Sequence, residues 1–393
     1  MRLTWLIFAI PVSAAPSFYQ DVSPIFEKHC DTCHRAGEAA PMSLVDYSTA
    51  RPWAKSIKEA IVTRKMPPWF ADPHVGKFSN DARLSEEEIR TIVDWVDAGA
   101  VKGTPRKSNV TWTEGWKIGK PDVVFEMPSA NEIPLSGTVP YQYAVVPTNF
   151  KRDMWVRLAE VRAGDREHTH HIVASIREPG SHEALGQGEF LAGYGPGAVP
   201  ELLAPGQAKL IKAGSEIVFQ LHYTTDGKPG SDRSRVGLIF ADKPPRERVV
   251  MLAAANVRFE IPPGDPNFKV EARQKLHEDA TLVSLLPHMH LRGKTFEFRA
   301  AYPTGDSETL LRVPNYDFDW QLSYYLASPK RLPAGSTIEA TATYDNSANN
   351  PKNPDATKAV RFGDQNWDEM MIGYFEAAID LKTTLRELLV GPR

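Results

Sequence analysis

The run TLVSLLPHMHLRGK, Thr281–Lys294, alternates in character and carries two histidines, His288 and His290, two positions apart. Such alternation between turn-forming residues reads as a β-strand. Successive side chains on a strand point to opposite faces, so residues i and i+2 share one. Both imidazoles then aim at one point, and two imidazoles with a common target can hold a metal ion. The same pairing also suits a surface or a hydrogen-bonded core position, so the rest of the chain must decide.

Runs of the same kind fill the chain from Lys120 onwards. TVPYQYAVV, DMWVRLAEV, SEIVFQLHY, SRVGLIFA, KTFEFRAAY and STIEATATY are separated by Gly, Pro, Asp and Asn. This is the pattern of antiparallel β-sandwiches. The stretch is too long for one small sandwich, so two are expected, over 120–242 and 243–393. The proline-rich basic segment Asp242–Arg248 divides them. No short repeat and no glycine-rich phosphate loop is present.

The whole chain has 393 residues, room for two or three domains. Its 24% charged and 42% apolar residues are the balance of a soluble globular protein. A net charge of -3 gives no reason to expect nucleic acid or an anionic membrane as partner. Thirty-two prolines favour loops and short strands over long helices. At the N-terminus, Arg2, the apolar run Leu3–Val12 and the small residues Ser13-Ala14-Ala15 read as a cleaved signal peptide over 1–15. The apolar run is too short to span a bilayer. An exported protein, periplasmic or secreted, without a membrane span after cleavage is expected.

Both cysteines lie in CDTCH, as Cys30 and Cys33, followed by His34. A C-x-x-C-H run lets two thiols add to the vinyl groups of a haem while the adjacent His ligates the iron. A thioredoxin-like redox pair would need a surrounding βαβ pattern, and none is visible. One covalently bound haem c is therefore expected. For the sixth ligand, Met66 in RKMPPW is the leading candidate, with Met42, His74 or an open site as alternatives. A helix over about Pro52–Thr63 would return the chain to the other haem face. LSEEEIRTIVDWVDAGA, Leu84–Ala100, reads as a closing helix, with Ser85 as cap and apolar Ile89, Ile92, Val93 and Val96. CDTCH, the Met-Pro loop and this helix resemble the corresponding parts of class I cytochromes c, over 17–103. The polar stretch 104–119 reads as a linker.

The histidines beyond the linker are grouped: His168, His170 and His171 in HTHHIV, His222 in FQLHYTT, then His288 and His290. His182 and His277 lie in polar loop sequence and read as surface residues. Strand alternation puts His168 with His170, because His170 and His171 normally face apart. An adjacent pair could share one metal only at a strand end or a bulge. Near the C-terminus, WDEMMIGYFEA brings Met370 and Met371. Methionine is by default core filler, but a thioether beside two histidines would select copper over zinc.

In this order the motifs resemble the copper type II ascorbate-dependent monooxygenases, such as peptidylglycine α-hydroxylating and dopamine β-monooxygenases. The resemblance covers roughly Lys120–Ala377 and implies two tandem jelly-roll-like β-sandwiches, each with one copper. It implies His170, His171 and His222 as ligands in the first, which leaves His168 beside the site. It implies His288, His290 and Met370 in the second, with Tyr374 in the place of an active-site tyrosine. The whole would be a mixed multidomain chain, an all-α cytochrome c domain before two all-β sandwiches. The implied activity is hydroxylation of a C–H bond in a small or peptide-like organic substrate with O2. The haem would relay electrons from an exported donor. Three features depart from the animal enzymes. The β-rich region has no cysteine, a cytochrome precedes it, and Leu286 stands where the peptide-amidating enzyme has a carboxylate-gripping arginine. Two other readings use the same residues: a non-enzymatic copper-binding redox protein, or a cytochrome fused to carbohydrate-binding sandwiches with structural histidines. A lytic polysaccharide monooxygenase would need a mature N-terminal histidine, where this chain has Ala15 or Pro16.

Overall fold

In the computed structural model the described residues are 15–391, apart from 37, 39, 109, 112–114, 183, 186, 187 and 196–198. The expected signal peptide lies outside them but for Ala15. The chain is mostly β-sheet with a few short helices, and it divides into two compact units. One is Met1–Pro68 with Ala82–Trp112; the other is Trp69–Asp81 with Thr113–Arg393.

The first unit is helical among its described residues. A π-helical turn, Phe18–Val22, runs into the helix Ser23–His29, which ends at Cys30. A 3-10 turn, Arg51–Trp53, leads into the helix Ala54–Val62. The helix Glu86–Asp97 begins as its sequence requires. The Ser85 hydroxyl accepts from the Glu88 amide, and the Glu88 carboxylate accepts from the Ser85 amide, satisfying two otherwise orphaned donors. Ile89, Ile92 and Trp95 face the core, where they meet Phe18, Phe26, Ile57 and Ile61. The expected Val93 and Val96 pack against this core half-buried, and beside them Trp95 is fully buried, its Nε1 donating to the Val101 carbonyl.

The second unit is built on one eight-stranded sheet. Its order is Val123–Glu126, Arg235–Phe240, Met154–Arg162, Gln207–Ile211, Glu247–Ala255, Ile372–Asp380, Ala280–His288, Tyr324–Leu332. A four-stranded sheet, Gln142–Pro147, Glu216–Tyr223, Thr169–Arg177, Glu189–Tyr194, covers the first half. Ile172, Ile176, Phe219 and Leu221 interdigitate there with Val156, Val161, Val236 and Leu238. Another, Phe268–Lys275, Thr337–Tyr344, Gly293–Ala301, Ser307–Val313, covers the second half. There the backbone of Gly373 comes so close that a Cβ would stand 2.7 Å from Phe298 and 2.9 Å from Ala340.

Two expected boundaries take another form. The halves on either side of 242/243 are not separate units. Gln207–Ile211 pairs in parallel with Glu247–Ala255, which makes the large sheet continuous across them. Beside that seam, Lys209 reaches Glu376 at 2.6 Å and Glu201 at 2.9 Å, and Ser284 donates to Glu376 at 2.7 Å. Nor does 17–103 hold together as one segment. Trp69 and Phe78 pack edge-on against Tyr324, with ring centroids 4.9 and 5.5 Å away, and Phe78 bridges to Leu326. Burial of two large aromatic rings places Trp69–Asp81 with the β-rich unit. The expected linker is likewise divided. Arg106 pairs with Glu27 in the helical unit, and Trp116 lies under the Arg162 and Arg235 guanidinium groups in the other.

Candidate metal centre

The strand Thr169–Arg177 pairs with Glu216–Tyr223, and its register shifts between Thr169 and His171. His170 is the extra residue of that bulge, so alternation fails there and two adjacent imidazoles turn the same way. Across the ladder His171 stands opposite His222. His170 and His171 bring their Nδ1 atoms to 3.1 Å, and one nitrogen from each of the three rings lies within 4.8 Å of the others. The ring of Tyr141 closes one side, 5.8 Å from His171 and 5.2 Å from His222.

His168 stands apart from this cluster, against the spacing argument. Its ring lies between carboxylates, Nδ1 2.8 Å from Asp165 and Nε2 3.1 Å from Asp226. Gly230 makes room for this arrangement, since a Cβ there would meet Asp165 and His168 at 2.5 Å.

Burial lowers all three clustered histidines, His171 well below its ordinary value and His222 to about 4. Each is a neutral imidazole with a lone pair at neutral pH. Converging neutral nitrogens, with His222 Nδ1 and His170 Nε2 both buried and without a hydrogen-bond partner, are an arrangement that a bound cation satisfies.

The second histidine set lies at the end of the strand Ala280–His288. The His288 and His290 ring centroids are 5.3 Å apart. His288 Nδ1 is held by Gln321 at 2.7 Å, and His290 Nδ1 by the Asp368 carbonyl at 3.3 Å. With a proton on each Nδ1, each Nε2 keeps its lone pair. Burial lowers both, His290 to about 3. The fully buried Glu369 accepts the His290 amide at 2.8 Å and the Arg292 amide at 2.7 Å. His288 stands opposite Ile372, and continuing that antiparallel register two residues outward sets Met370 level with His290. Met370 is half-buried, whereas Met371 is fully buried core. Tyr374 pairs with Leu286 and brings its ring within 6.0 Å of His288.

The two sets share a wall. Phe318 stacks on His170 at 5.8 Å and meets His290 edge-on at 6.0 Å. Asn366 joins Tyr141, whose hydroxyl donates to its amide oxygen at 3.0 Å, to His222 Nε2 at 3.2 Å. Phe318, Gln321, Asn366, Glu369 and Tyr141 were not legible beforehand. The aromatic and acidic loop YDFDWQ and the turn DQNWDE carry no spacing that points to chemistry.

In the helical unit, His34 Nδ1 lies 3.2 Å from the Met42 carbonyl, which leaves Nε2 as the free ligand atom. Cys30 and Cys33 are both half-buried. Met42 packs against the core of this unit. Met66 follows the helix Ala54–Val62 in the same unit and is half-buried, whereas His74 is exposed and belongs to the β-rich unit.

No family model matches the chain, and no curated protein matches it. Solved structures that match include the infectious bursal disease virus Gx strain, at 10% identity and TM-score 0.20 over 68% of this chain and 74% of that one. The VP2 subviral particle of the same virus matches at 10% identity and TM-score 0.21, over 66% of this chain and 73% of that one. The Gt strain matches at 11% identity and TM-score 0.21, over 69% and 74%. Likenesses this distant say nothing about what the present site does.

Proposed function

We propose that this chain is an exported oxidoreductase with one covalent haem c and two coppers, which hydroxylates a C–H bond of an organic substrate with O2. The observation that carries the reading is the cluster His170, His171, His222, with its orphaned Nδ1, one aromatic ring away from His288 and His290. His170, His171 and His222 would hold one ion; His288, His290 and Met370 would hold the other; Cys30, Cys33 and His34 would hold the haem, with Met66 as sixth ligand. Bound copper supplies one-electron redox chemistry and O2 activation, and the haem supplies single electrons from an exported donor.

The chain's own residues do the rest. Gln321 and the Asp368 carbonyl orient His288 and His290 by holding their Nδ1 protons. Glu369 pins the backbone that carries them. Phe318 and Tyr141 exclude water between and beside the histidines. Tyr374 borders His288 and is the candidate to contact substrate there. Its phenol is raised by burial, so it stays protonated at neutral pH. Leu286, opposite Tyr374, offers no charge to a substrate carboxylate, which favours a substrate without one.

Metal analysis of purified wild type beside His222→Ala and Met370→Ala tests the assignment. The wild type is expected to hold about two coppers and each variant about one, with haem content unchanged. A wild type that binds no copper would sink the reading. Phe318, which fills the space between the two sets, favours a second one: a non-enzymatic copper-binding redox protein. Oxygen uptake that rises with an added organic substrate would exclude it.

A further inference from the structure

We propose that the turn Gln365–Glu369 couples the two histidine sets, with Asn366 as the positioning residue that links metal affinity at one to metal occupancy of the other; this rests on the copper reading above. The turn is compact. The Asp368 amide donates to the Gln365 carbonyl at 2.9 Å, and the Trp367 carbonyl accepts from Arg292 at 2.9 Å. From this one turn, Asn366 reaches His222 Nε2 at 3.2 Å, in the half that holds the first set. Two residues later the Asp368 carbonyl lies 3.3 Å from His290 Nδ1, and the next residue, Glu369, accepts the His290 amide. Asn366 and Asp368 cannot shift independently within so short a turn, so what orders one orders the other.

The tautomers supply the chemistry. The unpartnered nitrogen of His222 is Nδ1, so a His222 that ligates there carries its proton on Nε2. That Nε2–H needs an acceptor. Rotating the Asn366 amide end for end presents its oxygen to Nε2–H and its NH2 to the Tyr141 hydroxyl. The two orientations are nearly equal in shape. A metal at His170, His171 and His222 therefore selects one orientation of Asn366 and fixes the turn. The fixed turn holds the Asp368 carbonyl ready to accept His290 Nδ1–H, which keeps His290 Nε2 available. The second ion then binds to a site whose ordering has already been done. Repulsion between two cations opposes this, but it is unchanged when Asn366 alone is altered.

Copper(I) titration of the full-length protein against a chromophoric chelator reads the coupling. His171→Ala removes the first site while keeping His222 and Asn366, and His288→Ala removes the second. Affinity of the second site is expected to fall at least about fivefold in His171→Ala, the lower end of ordinary allosteric coupling. By linkage the first site must weaken by the same factor in His288→Ala. Asn366→Leu is expected to abolish the mutual enhancement with both ions still bound, and Asn366→Asp, which keeps an oxygen acceptor, to restore it. Two ions whose affinities ignore each other in the wild type would overturn the coupling and leave the copper assignment intact. Coupling that survives Asn366→Leu would overturn the role of the turn. A wild type holding fewer than two coppers would overturn the copper reading and this inference with it.

Discussion

Phe318 shows how much one side chain carries. It is 5% exposed, it comes from a loop with no regular pattern, and it touches one histidine of each set. Truncating a buried phenylalanine removes its transfer energy and leaves a void that the surroundings close only in part. Phe318→Ala should cost about 3–5 kcal/mol by chemical denaturation. It should also admit water between the two sets, which would appear as faster hydrogen exchange at the His170 and His290 amides. Unchanged exchange there would mean that Phe318 packs without sealing. Residue identities on their own do not reveal such a role. His168 carries the same imidazole as His170 and His171, yet Asp165 and Asp226 hold it outside the cluster.

Elements obey local rules where their signals are local. The helix Glu86–Asp97 starts where S-x-x-E says it should. Ser85→Ala should cost about 1 kcal/mol, read from the thermal unfolding of the helical unit. Burial would raise the Glu88 carboxyl, but the Ser85 amide, Lys28 and His29 outweigh it and hold Glu88 at about 2, below its ordinary 4.5. A depressed carboxylate stabilises the fold fully above its unfolded value and loses that contribution as pH falls through the folded one. The helical unit should therefore weaken between about pH 4.5 and pH 2. Glu88→Gln should flatten that part of an acid titration followed by circular dichroism. An identical acid profile in the variant would show that Glu88 does not drive it. Strands are less self-contained. The bulge at His170 depends on how Thr169–Arg177 meets Glu216–Tyr223, more than forty residues further on.

At the scale of the whole molecule, the seam between the two halves of the large sheet is the feature with most at stake. Lys209, Glu376 and Ser284 are each at most 3% exposed, where unpaired charge is expensive. Burial and the neighbouring Glu376 raise the Glu201 carboxyl. Burial would raise Glu376 as well, but Lys209 holds it ionised. Lys209→Met would leave a buried carboxylate without its cation and should cost about 3–5 kcal/mol. Because Lys209 lies in one half of the β-rich unit and Glu376 in the other, that unit should also unfold in two steps in the variant where it unfolds in one in the wild type. A single transition of that unit in both proteins would argue that the parallel ladder alone joins the halves.

What the sequence determined by itself is what neighbouring residues decide. The C-x-x-C-H run, the capping box, the switch to alternating runs after Lys120 and the grouping of the histidines all follow from spacing and side-chain chemistry along a few residues. Strand spacing favoured His168 and the family resemblance His171; tertiary structure groups His171 with His170 and His222 and supplies the reason, because a bulge is a property of two strands together. Tertiary structure alone decided the withdrawal of Trp69–Asp81 from the helical unit, the continuity of the eight-stranded sheet, and the wall of Phe318 and Asn366 between the histidine sets. His222 and Asn366 stand 144 residues apart, and no period or propensity relates them. Their contact follows from packing two half-sheets edge to edge, where burial of apolar faces selects the partners and the chain between them only has to be long enough to allow it.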